Sequence, residues 1–305
     1  MPVAEAYDRL RAAHVGAVRR DEPMARHTTY RIGGPAALHI ECASVADLAS
    51  TTAILAEEGV DWRVLGKGSN VLVSDAGYPG AVLVLGRDFK RHALEGEHLR
   101  TGAGVILAAL VRDAFSEGRT GLEFAVGIPG TVGGALAMNA GGRDEWIGSI
   151  VESVTLFVPG TGLMGVRGPE IAWGYRTSGL NSRGIIVEAA LRLPEGDLDQ
   201  IRRTMEASLR RRRRTQPLSM PNAGSMFMNP EGDSAGRLIE AAGLIGVRVG
   251  GAAVSDVHAN FIVNTGGATS ADVLALVRLV RDSVKEAYGI ELSPEVRFLG
   301  SFDES

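Results

Sequence analysis

Apolar and polar positions alternate along this chain with two different periods. Val273, Leu276, Val277, Val280 and Val284 recur at steps of three and four, which places them on one face of a long helix. The same period runs through Ile106, Leu110, Val111 and Ala114 and predicts a helix over 105–117, closed by Gly118. Ser44 followed by Asp47 is a helix start, and that helix should end at Gly59. Further helices are expected over 4–14 and 198–214. Short apolar runs predict strands over 38–42, 62–65, 71–74, 81–85, 154–158, 185–193, 259–263 and 296–299. Pro159-Gly160-Thr161-Gly162 reads as a turn, and a Gly-rich hairpin is expected over 247–253. Helices and strands are therefore interspersed, which gives an α+β class.

Length suggests two domains or two lobes for 305 residues. With 45% hydrophobic and 22% charged residues, a sizeable core can form. A net charge of −4 argues against a nucleic-acid or membrane-surface protein. Five consecutive arginines, Arg210 to Arg214, interrupt that acidic balance. They fall at the C-terminal end of an expected helix, where the dipole favours cations, and no aromatic platform accompanies them. The single Cys42 excludes an intramolecular disulfide and reads as a small buried hydrophobe. The first residues contain no apolar leader and no run is long enough to span a bilayer, so a soluble, reducing compartment, the cytoplasm, is expected. Six scattered histidines form no metal-binding pattern, and no metal is expected.

The 40 glycines change the picture, because they are clustered. Average usage is about 7%, and this chain carries nearly twice that. Leu65-Gly66-Lys67-Gly68-Ser69-Asn70 lies between two expected strands. It fails the P-loop pattern, since the earlier glycine is absent and a strand follows, and it fails the dinucleotide fingerprint for lack of a helix. A nest of amides for an anion and a plain tight turn both remain open for it. The second stretch, 127–142, has almost no bulky side chains. It suits a backbone lying against a flat or phosphorylated ligand, or simply close backbone packing.

Taken together, these segments resemble a known family. Leu65-Gly-Lys-Gly-Ser-Asn-Val-Leu-Val-Ser-Asp75 and the 127–141 run GIPGTVGGALAMNAG are similar to the two FAD-diphosphate loops of the vanillyl-alcohol-oxidase (PCMH) type flavin domain. WGYRTS at 173–178, PNAGSMFMNP at 221–230 and SPEVRFLG at 293–300 narrow the match. The set, in order from about His27 to Gly300, resembles the UDP-N-acetylenolpyruvoylglucosamine reductase (MurB) family of peptidoglycan synthesis. The resemblance implies a two-lobed FAD domain over 20–198 and a smaller C-terminal α+β substrate domain over 199–305. A closing strand near 294–300 is expected to return toward the flavin. It implies non-covalent FAD, NADPH as co-substrate and a UDP-sugar as substrate, acted on by a monomer. The enolpyruvyl group would be reduced to a lactyl ether, in a pathway serving cell-wall biogenesis, cell shape and division.

Site residues carry over by position. Arg176 in Gly-Tyr-Arg matches the arginine that polarises the substrate carboxylate, Ser225 in Ala-Gly-Ser the proton donor, and Glu295 in Pro-Glu-Val the glutamate that assists at the carboxylate. Tyr175 and Asn229 match positions lining the substrate site, and Arg213, Arg214 and Gln216, which precede the Ser225 motif, are expected to reach the substrate diphosphate. The flavin loops would contribute Gly66, Lys67, Gly68, Ser69 and Asn70, and then Gly127, Pro129, Gly130, Thr131, Gly133, Gly134, Asn139, Ala140 and Gly141. Taken singly, Arg176 reads as a surface charge, Ser225 as a turn and Glu295 as a first-turn helix residue. The motif context assigns their roles. Two departures stand out: Met228 replaces a basic residue common in the family, and the short spacing from Tyr175 to Ser225 matches the compact type without a tyrosine-bearing lid. Other readings of the same residues are a different FAD-dependent oxidase or dehydrogenase on this domain, or a non-catalytic nucleotide-binding module.

Overall fold

The computed structural model describes residues 2–142 and 145–302. In chain order the first elements are α1 (Pro2–Ala12), β1 (Ala17–Pro23), β2 (Pro35–Cys42), α2 (Val45–Glu57), β3 (Trp62–Val64), β4 (Val71–Val73) and β5 (Tyr78–Leu85). Next come β6 (His92–Glu95), β7 (His98–Gly102), α3 (Leu107–Ser116), α4 (Val132–Ala137), β8 (Val151–Val158), β9 (Gly162–Arg167) and β10 (Ile185–Arg192). The remainder are α5 (Leu198–Thr215), α6 (Ala235–Ala241), β11 (Arg248–Val249), β12 (Ala252–Val254), β13 (Ile262–Asn264), α7 (Ser270–Tyr288) and β14 (Arg297–Leu299).

Two compact units emerge, each built from separated stretches of chain. Unit 1 comprises the residues up to Arg20, Leu38–Lys67 and Gly80–Arg210. It carries a four-stranded sheet in the order β1-β2-β5-β3, with β3 and β5 parallel, and a five-stranded sheet in the order β6-β7-β10-β8-β9. All four pairings of the second sheet are antiparallel. Its core gathers residues such as Leu38, Ile40, Leu83, Leu110, Leu136 and Leu156, all inaccessible to solvent. Cys42 belongs to that core, and burial pushes its thiol up to about 11. The side chain therefore acts as packing.

Unit 2 comprises Asp21–Ala37, Gly68–Pro79 and the chain from Arg211 on. It holds the antiparallel sheet β11-β12-β13 and a parallel pair, β14 on β4. The helix α7 shows how sequence sets this unit. Thr269 and Asp272 close a reciprocal cap at its start, and Gly289 ends it at φ 68°. The stripe Val273, Leu276, Val277, Val280 and Val284 is at most 2% exposed. At about 1.5–3 kcal/mol for each fully buried aliphatic side chain, this face ties the helix to Tyr30, Leu72, Phe227 and Ile262 in the same core.

Helix α3 differs in one respect from its sequence pattern. It begins at Leu107, so Ile106 is the N-cap and stands 43% exposed while Leu110, Val111 and Ala114 are buried. Ile106 is instead bridged to Thr131. Strands β1, β6 and β7, the helix α6 and the short α4 inside the 127–142 run are additions to the predicted set.

Candidate active site

In unit 1 the second glycine loop is pinned at Gly130, Val132 and Gly133. Leu107 donates to the Gly130 carbonyl at 3.1 Å, Val132 to Val105 at 2.9 Å and Gly133 to Ala103 at 2.8 Å. Gly133 lies so close to the chain that a Cβ there would be 2.9 Å from that of Ala103. Thr131 caps α4 by accepting from the Gly134 amide. Gly66, from the first loop, abuts the same threonine: an added Cβ would sit 2.5 Å from Thr131 Oγ1. The two glycine loops therefore meet at one point.

Their exposed side is backbone. Gly66, Lys67, Gly127, Pro129 and Gly134 are exposed, and among the described residues the amides of Gly66, Lys67, Gly127 and Gly130 donate to no protein acceptor. N–H groups left without a protein acceptor are the donor type that a diphosphate requires. These residues fit the diphosphate of FAD.

Asn139 and Gly141 hold the turn that carries Arg176. Gly174 and Thr177 exchange both backbone hydrogen bonds, at 2.9 and 3.3 Å, leaving Tyr175 and Arg176 at the tip. Arg176 adopts φ 56°, a conformation that favours glycine and is retained by a larger residue only when its surroundings hold it. Those surroundings are visible. The Asn139 side chain donates to Gly174 O at 3.0 Å and accepts from Gly148 N at 3.1 Å. Ser178 Oγ donates to Ala137 O at 3.2 Å. The Arg176 guanidinium donates to Gly141 O at 3.1 Å and lies over the Tyr175 ring, 5.4 Å from its centroid. Gly141 is itself paired with Trp146, and a Cβ at 141 would be 2.3 Å from the Glu145 carbonyl.

In unit 2, Ser225 and Glu295 are joined through backbone. Glu295 N donates to Met226 O at 2.8 Å and Met228 N to Ser293 O at 2.9 Å, so the two motifs run side by side. Asn70 bonds to the same stretch: its side chain donates to Glu295 O at 3.2 Å, and its carbonyl accepts from Arg297 N at 3.0 Å. Gly68, at φ 61°, is gripped from behind, since a Cβ there would lie 2.3 Å from His27 O. Thr29 donates its amide to Gly68 O and its hydroxyl to Asn222 O, linking the first loop to the Ser225 segment. Gly224, at φ 82°, turns into Ser225 with its amide bound to Asn222 Oδ1.

The predicted residues are thus grouped as follows. Gly66 meets Thr131, Arg176 meets Tyr175 and Gly141, and Asn139 braces the same turn, all in unit 1. Gly68, Ser69, Asn70, Ser225 and Glu295 belong to unit 2. Asn229 spends its side-chain oxygen on Ala235 N, at the start of α6, and the Gln216 side chain accepts from Arg212 at the end of α5. Ala140 N closes on Ala135 O at the end of α4. Asp75, the last residue of the first motif, escaped the sequence reading as a contributor. Its carboxylate accepts from the amides of Ser270 and Ala271, the first two residues of α7, and its own amide donates to Ser270 Oγ. Among the described residues no group of three His, Cys, Asp or Glu side chains is placed to hold a metal ion.

Two glycine loops presenting amides, within an α+β framework, are the arrangement expected of an FAD-binding flavoprotein of the vanillyl-alcohol-oxidase type. In agreement, an FAD binding domain family matches residues 36–160, and the UDP-N-acetylenolpyruvoylglucosamine reductase C-terminal domain matches 216–299. A reductase of that name from Heliobacterium modesticaldum is 48% identical over 92% of this chain and 90% of its own length. One from Halalkalibacterium halodurans is 43% identical over 95% and 97%. The crystal structure of the reductase from Thermus caldophilus superposes with a TM-score of 0.81 at 38% identity, over 93% of this chain and 98% of that one. The chain belongs to the UDP-N-acetylenolpyruvoylglucosamine reductase (MurB) family.

Proposed function

We propose that this protein reduces the enolpyruvyl group of UDP-N-acetylglucosamine enolpyruvate with NADPH to give UDP-N-acetylmuramate, a step in peptidoglycan precursor synthesis. The observation that carries the reading is relatedness across nearly the whole chain to reductases of this name. The intact Arg176, Ser225 and Glu295 motifs add to it. FAD, when bound, supplies the hydride that NADPH delivers. The flavin-holding part is assigned to 20–198 and the substrate part to 199–305, in a cytoplasmic monomer. No helix of the described residues is long and apolar enough to cross a membrane.

Each residue has a task that the chemistry defines. Hydride addition to the terminal carbon of an alkene conjugated with a carboxylate builds negative charge on that carboxylate. A fixed cation there stabilises the developing charge, an effect worth about 3–4 kcal/mol in a water-excluded site. Arg176 suits this because its planar fork matches carboxylate oxygens and its turn is already braced. The adjacent carbon then takes a proton from Ser225 Oγ, and the serine recovers one from solvent. An ionised carboxylate beside the growing anion would repel it, so in this reading Glu295 is protonated, or shares a proton with the substrate, in the reactive complex, where it donates a hydrogen bond. Glu295→Gln should then keep most of the activity. A loss of several orders of magnitude would remove that assignment. Gly66 to Asn70 and the 127–141 loop hold the diphosphate of FAD, and Tyr175, Gln216 and Asn229 line the sugar-nucleotide site.

An anaerobic visible spectrum tests the whole reading. NADPH should bleach a flavin band, and the enolpyruvyl sugar nucleotide should restore it. Bleaching without recovery would discard the substrate and keep the flavoprotein. No flavin after reconstitution with FAD would leave a nucleotide-binding module.

A further inference from the structure

We propose that Asn260 is a positioning residue that fixes the proton donor Ser225 by holding the backbone of Met226 and Phe227. This rests on the reading of Ser225 as the donor. Asn260 is 3% exposed, and three of its polar groups are committed to this one segment. Its side-chain amide donates to Phe227 O at 2.8 Å and its side-chain oxygen accepts from Phe227 N at 2.9 Å. Its own carbonyl accepts from Met226 N at 2.7 Å.

Met226 N belongs to the peptide that Ser225 begins, so that last bond sets the torsion on the carboxyl side of Ser225. The other edge of the segment is held by Glu295 N on Met226 O and by Met228 N on Ser293 O. Ser225 thus sits on a stretch clamped from two sides.

An asparagine is required for a topological reason. Upstream, the segment pairs with β13 through Asn222 and Val263, and Asn264 N donates to Pro221 O. Opposite Phe227 the partner chain has already turned away, with Phe261 N closing on His258 O. No strand backbone is available there, and a side-chain amide, carrying one donor and one acceptor face, takes its place. The Asn260 backbone is fixed in turn, because its amide donates to His258 Nδ1 at 3.1 Å. An aspartate would present an acceptor to the Phe227 carbonyl, and an alanine would leave both main-chain groups of Phe227 without this partner.

The test separates the two half-reactions by stopped flow in the holoenzyme. In Asn260→Asp, flavin reduction by NADPH and the KM for the sugar nucleotide should stay within about threefold of wild type. Flavin reoxidation by the enolpyruvyl substrate should slow about a hundredfold, the scale of a 1 Å misplacement. The solvent deuterium isotope effect on that step should rise. The loss should shrink as pH falls, because a protonated aspartate regains a donor for Phe227 O, whereas Asn260→Ala should show the slowing without the pH recovery. Wild-type reoxidation in a flavin-loaded variant, or equal slowing of both half-reactions, would overturn the proposal. If neither variant binds FAD, Asn260 is a folding residue and the proposal likewise fails. Ser225→Ala in parallel distinguishes the two layers: unchanged reoxidation there removes the donor reading itself, whereas slow reoxidation there beside normal Asn260 variants removes only the positioning role.

Discussion

Gly66 and Thr131 offer a direct measure of how tightly the two glycine loops are joined. An alanine at 66 would bring its Cβ 2.5 Å from Thr131 Oγ1, where ordinary contacts begin at 3.4 Å. The hydroxyl must retreat by about 0.9 Å, the difference between those two distances, or the loops must separate. Retreat breaks its bond to the Gly134 amide, a cap worth about 1 kcal/mol, and overpacking adds about 1–3 kcal/mol. Gly66→Ala should therefore cost about 2–4 kcal/mol. Thr131→Ala loses only the cap, about 1 kcal/mol. In the double variant the clashing oxygen is gone, and the nearest remaining atom common to both, Thr131 Cβ, is 3.5 Å away. The pair should then cost little more than Thr131→Ala alone, about 2–4 kcal/mol less than the sum of the singles. Urea unfolding at constant m-value reads the cycle. Titration of the apoprotein with FAD should follow it, with affinity lost in Gly66→Ala and largely regained in the double variant. Additivity within about 0.5 kcal/mol would refute the contact between the loops.

Three further outcomes follow from buried polar groups. The Tyr30 hydroxyl is fully buried with no hydrogen-bond partner among the described residues, and burial drives its pKa well up. Tyr30→Phe should raise stability by about 1 kcal/mol; a loss of that size in chemical unfolding would mean that the hydroxyl is satisfied. Asp75→Ala removes two bonds from the first turn of α7, at 2.9 and 3.2 Å. It should cost about 1–3 kcal/mol, with Asp75→Asn in between, and melting temperatures that ignore both changes would refute the cap. Burial lowers the pKa of His258, opposed by a backbone hydrogen bond and by the charge of Glu240. The unfolded chain therefore takes up a proton first, so this contribution is intact above about pH 6.5 and is lost as pH falls through the folded value. His258→Gln should flatten the drop in melting temperature between pH 7.5 and pH 5.5, and an unchanged drop would show that His258 does not contribute.

Local signals made much of the fold legible, whereas long-range bonds did not. The α7 stripe, the Ser44 cap and the hairpin at β11 and β12 are encoded within a few residues of themselves, and periodicity and caps find them. Ile106 fitted the helical period of α3 but lies outside the helix, because its pairing with Thr131 is a tertiary contact that no local pattern contains. The 127–142 run was read as backbone against a ligand, and the small helix α4 hides in it because Gly133 and Gly134 suppress any helical signal. The unit assembled from 21–37, 68–79 and the chain from Arg211 on is held by contacts between stretches far apart in sequence, which no local pattern contains. For the proposed site, the motifs point to Arg176, Ser225 and Glu295. Asn139, Asn260 and Asp75, which brace the Arg176 turn, the Ser225 segment and the start of α7, carry ordinary amide and carboxylate side chains, and most of their partners lie tens to hundreds of residues away. Asp75 and Asn139 lie inside the two glycine motifs, whereas no motif contains Asn260.

The parallel pairing of β14 on β4 also has a cost in time. The bond from Asn70 to Glu295 spans 225 residues. A ribosome adding about 5–20 residues per second needs about 10–45 s to make that stretch. Throughout this interval Val71, Leu72 and Val73, an apolar run with open backbone groups, have emerged without their partner strand. Nascent chains of this protein should therefore pass through a long window in which β4 is open to chaperones or to a neighbouring chain. The first loop acquires its Glu295 anchor only when that window closes.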